Sequence, residues 1–183
     1  MVSRTIPVDP FDLVIFGGTG DLARRKILPG LFRRFLAGQM PEDARVIGCA
    51  RGDLTDTAYR KMIKEAIEEF TPKTIRKAKD VSAFVNHLHY VKVDALGTSG
   101  WKDLKAHMRD GVIRAFYFSV GPSLFGALAE RLHSYKIADS DSRIVVEKPF
   151  GRDLASAKEL NATLAEHFDE TQIYRIDHYL GKE

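Results

Sequence analysis

Short unbroken hydrophobic runs alternate along the chain with segments in which hydrophobic residues recur every three or four positions. The unbroken runs predict buried strands, and the periodic segments predict helices. The predicted strands cover 13–16, 45–50, 89–93, 111–120, 143–147 and 171–176. The predicted helices cover 21–36, 54–70, 73–84, 101–108, 121–135 and 153–167. Strands and helices in alternation are typical of a doubly wound, parallel α/β sheet of the Rossmann type.

Two of these helices carry details that the pattern also predicts. Pro29 and Gly30 stand in the middle of 21–36 and indicate two helical pieces instead of one straight helix. In 54–70 the spacing predicts one buried face made by Ala58, Met62, Ala66, Ile67 and Phe70.

Composition and charge exclude several classes of protein. A chain of 183 residues with 44% hydrophobic and 29% charged residues is neither a disordered tail nor a membrane protein. The net charge of +3 is too small for a dedicated nucleic-acid binder. Cys49 is the only cysteine, so a disulfide and a cysteine-based metal cage are excluded, and we expect a cytoplasmic protein without a membrane anchor.

A glycine-rich loop follows the first predicted strand. Gly17-Gly18-Thr19-Gly20-Asp21-Leu22-Ala23 fits a dinucleotide-binding fingerprint in two glycine registers. Glycine lets the backbone turn tightly and approach a pyrophosphate, and the small Ala23 lets the helix pack close to the strand. A merely structural turn is the alternative, and a P-loop is excluded because no Gly-Lys-Ser/Thr follows.

Basic residues near this loop suggest which dinucleotide binds. Arg51 ends the second strand, where NAD-binding folds usually place an acidic residue, so the sequence favours NADP with its 2′-phosphate. An exposed arginine without a role is the alternative, and Asp53 could still hold a ribose for weaker NAD binding. Arg24, Arg25 and Lys26 fit either a phosphate site or a solvated basic face.

Further polar residues follow the last two strands. Lys148, before Pro149, stands at the carboxyl end of a strand and could hold a substrate hydroxyl or phosphate, pair with an acidic residue or belong to a structural turn. Asp177 and His178 are neighbours and cannot face each other. We therefore expect Asp177 to orient a histidine from elsewhere, and His178 to bind an anion together with Lys182.

Three motifs together resemble the coenzyme-binding domain of the glucose-6-phosphate dehydrogenase family. The segment 17–26, GGTGDLARRK, is similar to the family's GxxGDLA(K/R)xK element. The segment 147–151 is similar to its EKPFG turn, and 175–183 is similar to its RIDHYLGKE signature. The resemblance spans essentially the whole chain.

The resemblance implies a coenzyme site, a substrate site and a reaction. It assigns the coenzyme to Gly17, Gly18, Thr19, Gly20, Asp21, Leu22, Ala23, Arg24, Arg51, Asp94, Ala95 and Lys148. It assigns glucose 6-phosphate to Lys148, His178, Tyr179 and Lys182, and makes Asp177 the residue that orients a catalytic histidine. That histidine would take the proton of the C1 hydroxyl while hydride passes to the nicotinamide, giving a lactone in the pentose phosphate pathway.

The resemblance also implies that part of the enzyme lies outside this sequence. In the family the catalytic histidine lies beyond the RIDHYLGKE signature, in a larger β+α domain that forms the homodimer or homotetramer. We therefore expect a leader at 1–10, a coenzyme domain at 11–177 and the truncated start of a substrate domain at 178–183, inactive alone. The alternatives are an oxidoreductase of the glucose–fructose oxidoreductase type and a non-catalytic NADP-binding module.

Overall fold

The computed structural model describes residues 8–147 and 153–176. Its six strands form one sheet in the order β3-β2-β1-β4-β5-β6. Every neighbouring pair is parallel. The strands are β1 (Phe11–Phe16), β2 (Arg45–Ala50), β3 (Leu88–Lys92), β4 (Ile113–Phe118), β5 (Arg143–Glu147) and β6 (Ile173–Ile176). This order confirms the predicted doubly wound, Rossmann-like fold.

Helices cover both faces of the sheet. They are α1 (Leu28–Leu36), α2 (Asp56–Phe70), α3 (Ala78–Val85), α4 (Trp101–His107), α5 (Phe125–Ser134) and α6 (Leu154–Ala165). Because alternate strand residues face opposite ways, Ile15 of β1 packs in the core under α1, α2 and α3. Val14 and Phe16 pack in the second core, under α4, α5 and α6. None of the described helices has the length and apolar character needed to span a membrane.

The first helix is divided into two pieces, as predicted, but the division precedes the proline. A π-helical segment, Ala23–Ile27, runs into α1 at Leu28. The Leu28 N–H donates to the Ala23 carbonyl, five residues back, as in a π-turn. Pro29 has no N–H to continue the α-helical pattern of the preceding turn, which accounts for the wider turn there.

The buried face of α2 matches the prediction only in part. Ala66 and Ile67 are buried as predicted, together with Tyr59 and Ile63. Ala58 is exposed, and Met62 and Phe70 are only partly buried. The Thr55 hydroxyl accepts a hydrogen bond from the Ala58 N–H at 3.2 Å and so caps the helix. This capping role holds Ala58 in the exposed first turn, so the buried face begins one residue later.

Several predicted elements extend beyond the observed ones; the strand predicted at 171–176, for example, begins at Ile173, after a 3-10 turn at Glu170–Gln172. The helix predicted at 73–84 is present only as Ala78–Val85, and the strand predicted at 111–120 is present only as Ile113–Phe118. The helix predicted at 121–135 begins as a 3-10 turn, Pro122–Leu124, before α5 starts. Gly111, Gly121 and Pro122 interrupt the regular hydrogen bonds at the ends of the strand and at the start of the helix predicted at 121–135.

Candidate functional site

A cleft of about 440 Å³ opens at the carboxyl edge of the sheet. Open α/β sheets bind ligands at this edge, where the strand order reverses between β1 and β4. The ends of β1, β2 and β3 and the start of α5 all contribute to the cleft. It is lined by Phe16, Gly17, Thr19, Gly20, Cys49, Ala50, Arg51, Gly52, Val93, Asp94, Ala95, Leu96, Val120, Leu124 and Leu128.

The glycine loop fits tightly between the ends of β2 and β4. Gly17 has a positive φ of 82°, and a Cβ there would lie 2.2 Å from the Ser119 carbonyl oxygen. A Cβ on Gly18 would lie 2.7 Å from the Cα of Gly48. The N–H groups of Gly17 and Gly18 both donate to the Cys49 carbonyl, at 2.9 and 3.1 Å. These contacts explain why glycine is needed at both positions.

The loop leads directly into the first helix, as the fingerprint requires. The Gly20 carbonyl accepts from the Arg24 N–H at 3.1 Å, and Ala23 is fully buried against the sheet. N–H groups in the first turn of a helix have no acceptor within the helix. The residues that line the cleft here, Thr19 and Gly20, therefore place a helix N-terminus beside it, a favourable position for an anion.

The basic residues after the loop have different surroundings. Arg25 is 3.6 Å from Asp21 and lies over the Phe70 ring at 5.2 Å, and Lys26 is exposed. For Arg25 the structure thus supports the solvated basic face. The Nε atom of Arg24 is enclosed and has no hydrogen-bond partner among the described residues.

Arg51 lies at the edge of the cleft, on the exposed turn after β2. Within residues 8–147 and 153–176, its guanidinium forms no ion pair or hydrogen bond. Asp53, the alternative ribose ligand, does not line the cleft: its side chain is 89% exposed and pairs with Lys92 at 3.7 Å. The positive charge of Arg51 is therefore available to a ligand in the cleft.

The turn after β3 is fixed by its own hydrogen bonds. The Asp94 carboxylate accepts from the Leu96 N–H at 3.1 Å, and the Asp94 carbonyl accepts from the Trp101 indole N–H at 3.0 Å. These bonds hold Asp94 and its neighbour Ala95 at the cleft wall. The two residues that the family resemblance named here thus lie opposite the glycine loop in the same cleft.

Ser119 is a polar residue of this edge that sequence reasoning passed over. Its hydroxyl oxygen is enclosed and has no hydrogen-bond partner in the described part of the chain. It lines a second cleft of about 260 Å³ together with Leu22, Pro122 and Glu147. Its place at the carboxyl end of a strand was a usable signal.

Cys49 lines the main cleft but does not supply a nucleophile. Complete burial raises the pKa of its thiol far above neutrality, so the reactive thiolate does not form. Among the described residues, no group of three or more histidine, cysteine or acidic side chains could hold a metal ion.

Five predicted site residues lie outside the described residues. They are Lys148, Asp177, His178, Tyr179 and Lys182. The residues just before them are described: Glu147 ends β5 and Ile176 ends β6, both at the carboxyl edge of the sheet.

The sheet order and the glycine loop at the first β–α turn define a dinucleotide-binding domain of the Rossmann class. A family profile described as "Glucose-6-phosphate dehydrogenase, NAD binding domain" matches residues 14–183. The chain therefore belongs to this family, which decides against the glucose–fructose oxidoreductase type.

Relatives and solved structures agree with this family. The glucose-6-phosphate 1-dehydrogenase of Rhizobium meliloti (strain 1021) is 49% identical over 185 residues, which cover 100% of this chain and 38% of that one. A structure titled "Glucose-6-phosphate dehydrogenase in complex with its substrate glucose-6-phosphate" matches with a TM-score of 0.85 and 32% identity, over 96% of this chain and 38% of that one. The enzyme from Mycobacterium avium matches with a TM-score of 0.87 and 33% identity, over 94% and 37%. The chain thus spans about 38% of the length of such relatives.

Proposed function

We propose that this chain is the coenzyme-binding part of an NADP-dependent glucose-6-phosphate dehydrogenase. The complete enzyme would oxidise C1 of glucose 6-phosphate to 6-phosphogluconolactone, in the oxidative pentose phosphate pathway. One observation carries the coenzyme assignment: the Arg51 guanidinium, which has no partner among the described residues, lines the same cleft as the glycine loop. The sugar substrate is supported by the family match and by the solved relative whose title names glucose 6-phosphate.

The described residues fit an NADP molecule along the cleft. The Gly17–Gly20 loop and the helix start would hold the pyrophosphate, because their backbone can approach it closely. Arg51 would form charged hydrogen bonds with the 2′-phosphate, and Asp94 and Ala95 would form the wall between. The enclosed Ser119 hydroxyl, which has no hydrogen-bond partner among the residues the structure describes, would donate to the coenzyme from the second cleft, beside Glu147.

The chemistry needs a hydride acceptor and a proton acceptor. The bound coenzyme supplies the hydride acceptor in its nicotinamide ring. We assign Lys148, His178, Tyr179 and Lys182 to binding the sugar phosphate, and Asp177 to orienting the histidine that takes the C1 hydroxyl proton. The family profile covers all five residues, which supports these assignments.

Calorimetric titration with NADP⁺ and NAD⁺ tests the coenzyme assignment. In the Arg51→Ala variant we expect NADP⁺ binding to weaken by about 1.5–3 kcal/mol, because a charged hydrogen-bond donor to the 2′-phosphate is lost. NAD⁺ has no 2′-phosphate, so its binding should change little. Arg33→Ala is the matched control, since Arg33 is an exposed arginine of α1 that does not line the cleft.

Two results would contradict the proposal. If Arg51→Ala weakened the binding of NADP⁺ and NAD⁺ equally, Arg51 would not bind the 2′-phosphate. If the original chain bound neither coenzyme, the assignment of the cleft itself would be wrong.

We extend the proposal to the setting of the whole enzyme. The free and buried Cys49 suits a reducing cytoplasm. We propose that the enzyme works there on its small-molecule substrate, as a homodimer or homotetramer, without nucleic acid or membrane as a partner.

A further inference from the structure

Two buried tyrosines lie in contact behind the cleft. Tyr59 of α2 is 0% exposed and Tyr90 of β3 is 7% exposed. Their ring centroids are 5.3 Å apart, with an angle of 41° between the ring planes. Burial raises the pKa of both hydroxyls, so both stay protonated and can donate at neutral pH.

Tyr59 holds the glycine loop from below. Its hydroxyl donates to the Gly18 carbonyl at 3.1 Å, across 41 positions of the sequence. The hydroxyl occupies the space beside Gly48 in β2, where a Cβ would lie only 2.2 Å from the Tyr59 oxygen. Gly48 is therefore needed so that Tyr59 can reach the loop.

Tyr90 holds the turn that carries Arg51. Its hydroxyl lies 2.6 Å from the Gly52 carbonyl oxygen and 3.1 Å from the Ala50 carbonyl oxygen. These two carbonyls flank Arg51 on either side. The Ala50 carbonyl also accepts from the Val93 N–H at 2.9 Å, so Tyr90 is needed chiefly to anchor Gly52.

Tyr90 is itself held in place from its backbone. Its N–H donates to the Asp56 carboxylate of α2 at 2.8 Å, and Tyr59 follows Asp56 by one helical turn. Asp56 and the ring contact thus join α2 to β3 at this point. The turn at Arg51 is exposed to solvent, but its backbone is tied to two buried elements.

We infer that Tyr90 is a positioning residue for the preference for NADP over NAD, because its hydroxyl anchors the Gly52 backbone next to Arg51. This inference rests on the proposed function. A supporting shell that fixes a charged side chain strengthens binding, because less freedom is lost when the ligand arrives. Tyr59 fixes the pyrophosphate loop instead, a part that NADP and NAD bind alike. Tyr90 therefore acts on the selectivity between the two coenzymes, and Tyr59 acts on the affinity for both.

Removing one hydroxyl at a time tests the inference. We expect Tyr90→Phe to weaken NADP⁺ binding about fivefold, the effect of one ordinary hydrogen bond, and to leave NAD⁺ binding within about twofold. Tyr59→Phe is the matched control, since it also removes one buried hydroxyl and keeps the ring. It should weaken both coenzymes by the same factor.

A double variant separates positioning from general damage to the fold. If Tyr90 acts through Arg51, Tyr90→Phe should weaken NADP⁺ binding no further in a chain that already carries Arg51→Ala. If Tyr90 acted only on the stability of the fold, Tyr90→Phe would weaken NADP⁺ binding by the same factor in the original chain and in the Arg51→Ala chain.

The results distinguish this inference from the proposed function. If the original chain prefers NADP⁺ and Tyr90→Phe leaves that preference unchanged, the role of Tyr90 is wrong and the proposed function stands. If the original chain binds neither coenzyme, both fall together.

Discussion

Gly17 combines two constraints that act at the scale of a single residue. Its φ of 82° is a conformation that other residues adopt at a cost, and its missing Cβ leaves room for the Ser119 carbonyl. Gly38 also has a positive φ, of 67°, but nothing lies within 4 Å of its missing Cβ. A side chain at Gly38 would therefore add only the free-energy cost of the backbone conformation, whereas one at Gly17 would also add the cost of a steric clash.

Alanine at both positions tests this separation. Gly38→Ala should lower the free energy of unfolding by about 1–2 kcal/mol, the cost of a left-handed conformation. Gly17→Ala should lower it by more, because the Cβ would also collide with the Ser119 carbonyl, and only this variant should lose NADP⁺ binding. Urea unfolding and calorimetry measure both effects. Equal destabilisation by the two substitutions would contradict the close-approach argument.

At the scale of elements, β1 lies between β2 and β4 and is fixed at both of its ends. The glycine loop fixes the carboxyl end. At the amino end, the fully buried Asp12 carboxylate accepts from the Arg109 backbone N–H at 2.9 Å and from its guanidinium at 2.7 and 2.9 Å. Arg109 also donates to the Phe11 carbonyl at 3.0 Å and to Asp43 at 3.3 Å. This network joins β1 to the segments before β2 and β4.

Breaking the ion pair should destabilise the sheet strongly. Asp12→Asn should lower the free energy of unfolding by about 3 kcal/mol, because the Arg109 charge loses its buried partner. Asp110→Asn is the control: Asp110 pairs with Arg114 at 3.1 Å but is fully exposed, and such pairs contribute little. Thermal and urea unfolding measure both variants. An Asp12→Asn chain as stable as the control would show that the network adds nothing.

At the scale of the whole molecule, α2 packs against β3 through a contact that depends on protonation. His89 lies 3.2 Å from the Asp56 carboxylate, with Arg60 on the same helix and His107 packed at 6.0 Å between ring centroids. Burial lowers the pKa of His89, more than the nearby Asp56 raises it. The folded chain therefore binds this proton less readily than the unfolded chain.

This difference predicts how stability changes with pH. The contribution of His89 is complete above its ordinary pKa of 6.5 and declines as the pH falls from there through the lowered value in the folded chain. His89→Gln should therefore lose less stability than the original chain between about pH 6.5 and 5. Urea unfolding across this range measures the slope. The same substitution at the exposed His133 of α5 is the control for replacing a histidine by glutamine.

The sequence predicted most strands closely because their signal is local. The strand predicted at 143–147 matches β5, and the glycine loop has the predicted position between a strand and a helix. On α2, Ala66 and Ile67 are buried as predicted, but Tyr59 is buried in place of Ala58, since both residues suit a helix and only packing decides between them. The segment 73–77 looked helical by composition, but α3 begins at Ala78.

What the sequence determined by itself is therefore the fold class, the glycine fingerprint and the charge of Arg51, because each is written in neighbouring residues. The tertiary structure decided which distant groups meet. The Tyr59 hydroxyl reaches the Gly18 carbonyl across 41 positions, and Arg109 reaches Asp12 across 97. Local periodicity does not predict such pairs, since they depend on strand order and on which face of each helix is buried. The contact of the Tyr90 hydroxyl with the Gly52 carbonyl, next to Arg51, was likewise decided by the tertiary structure.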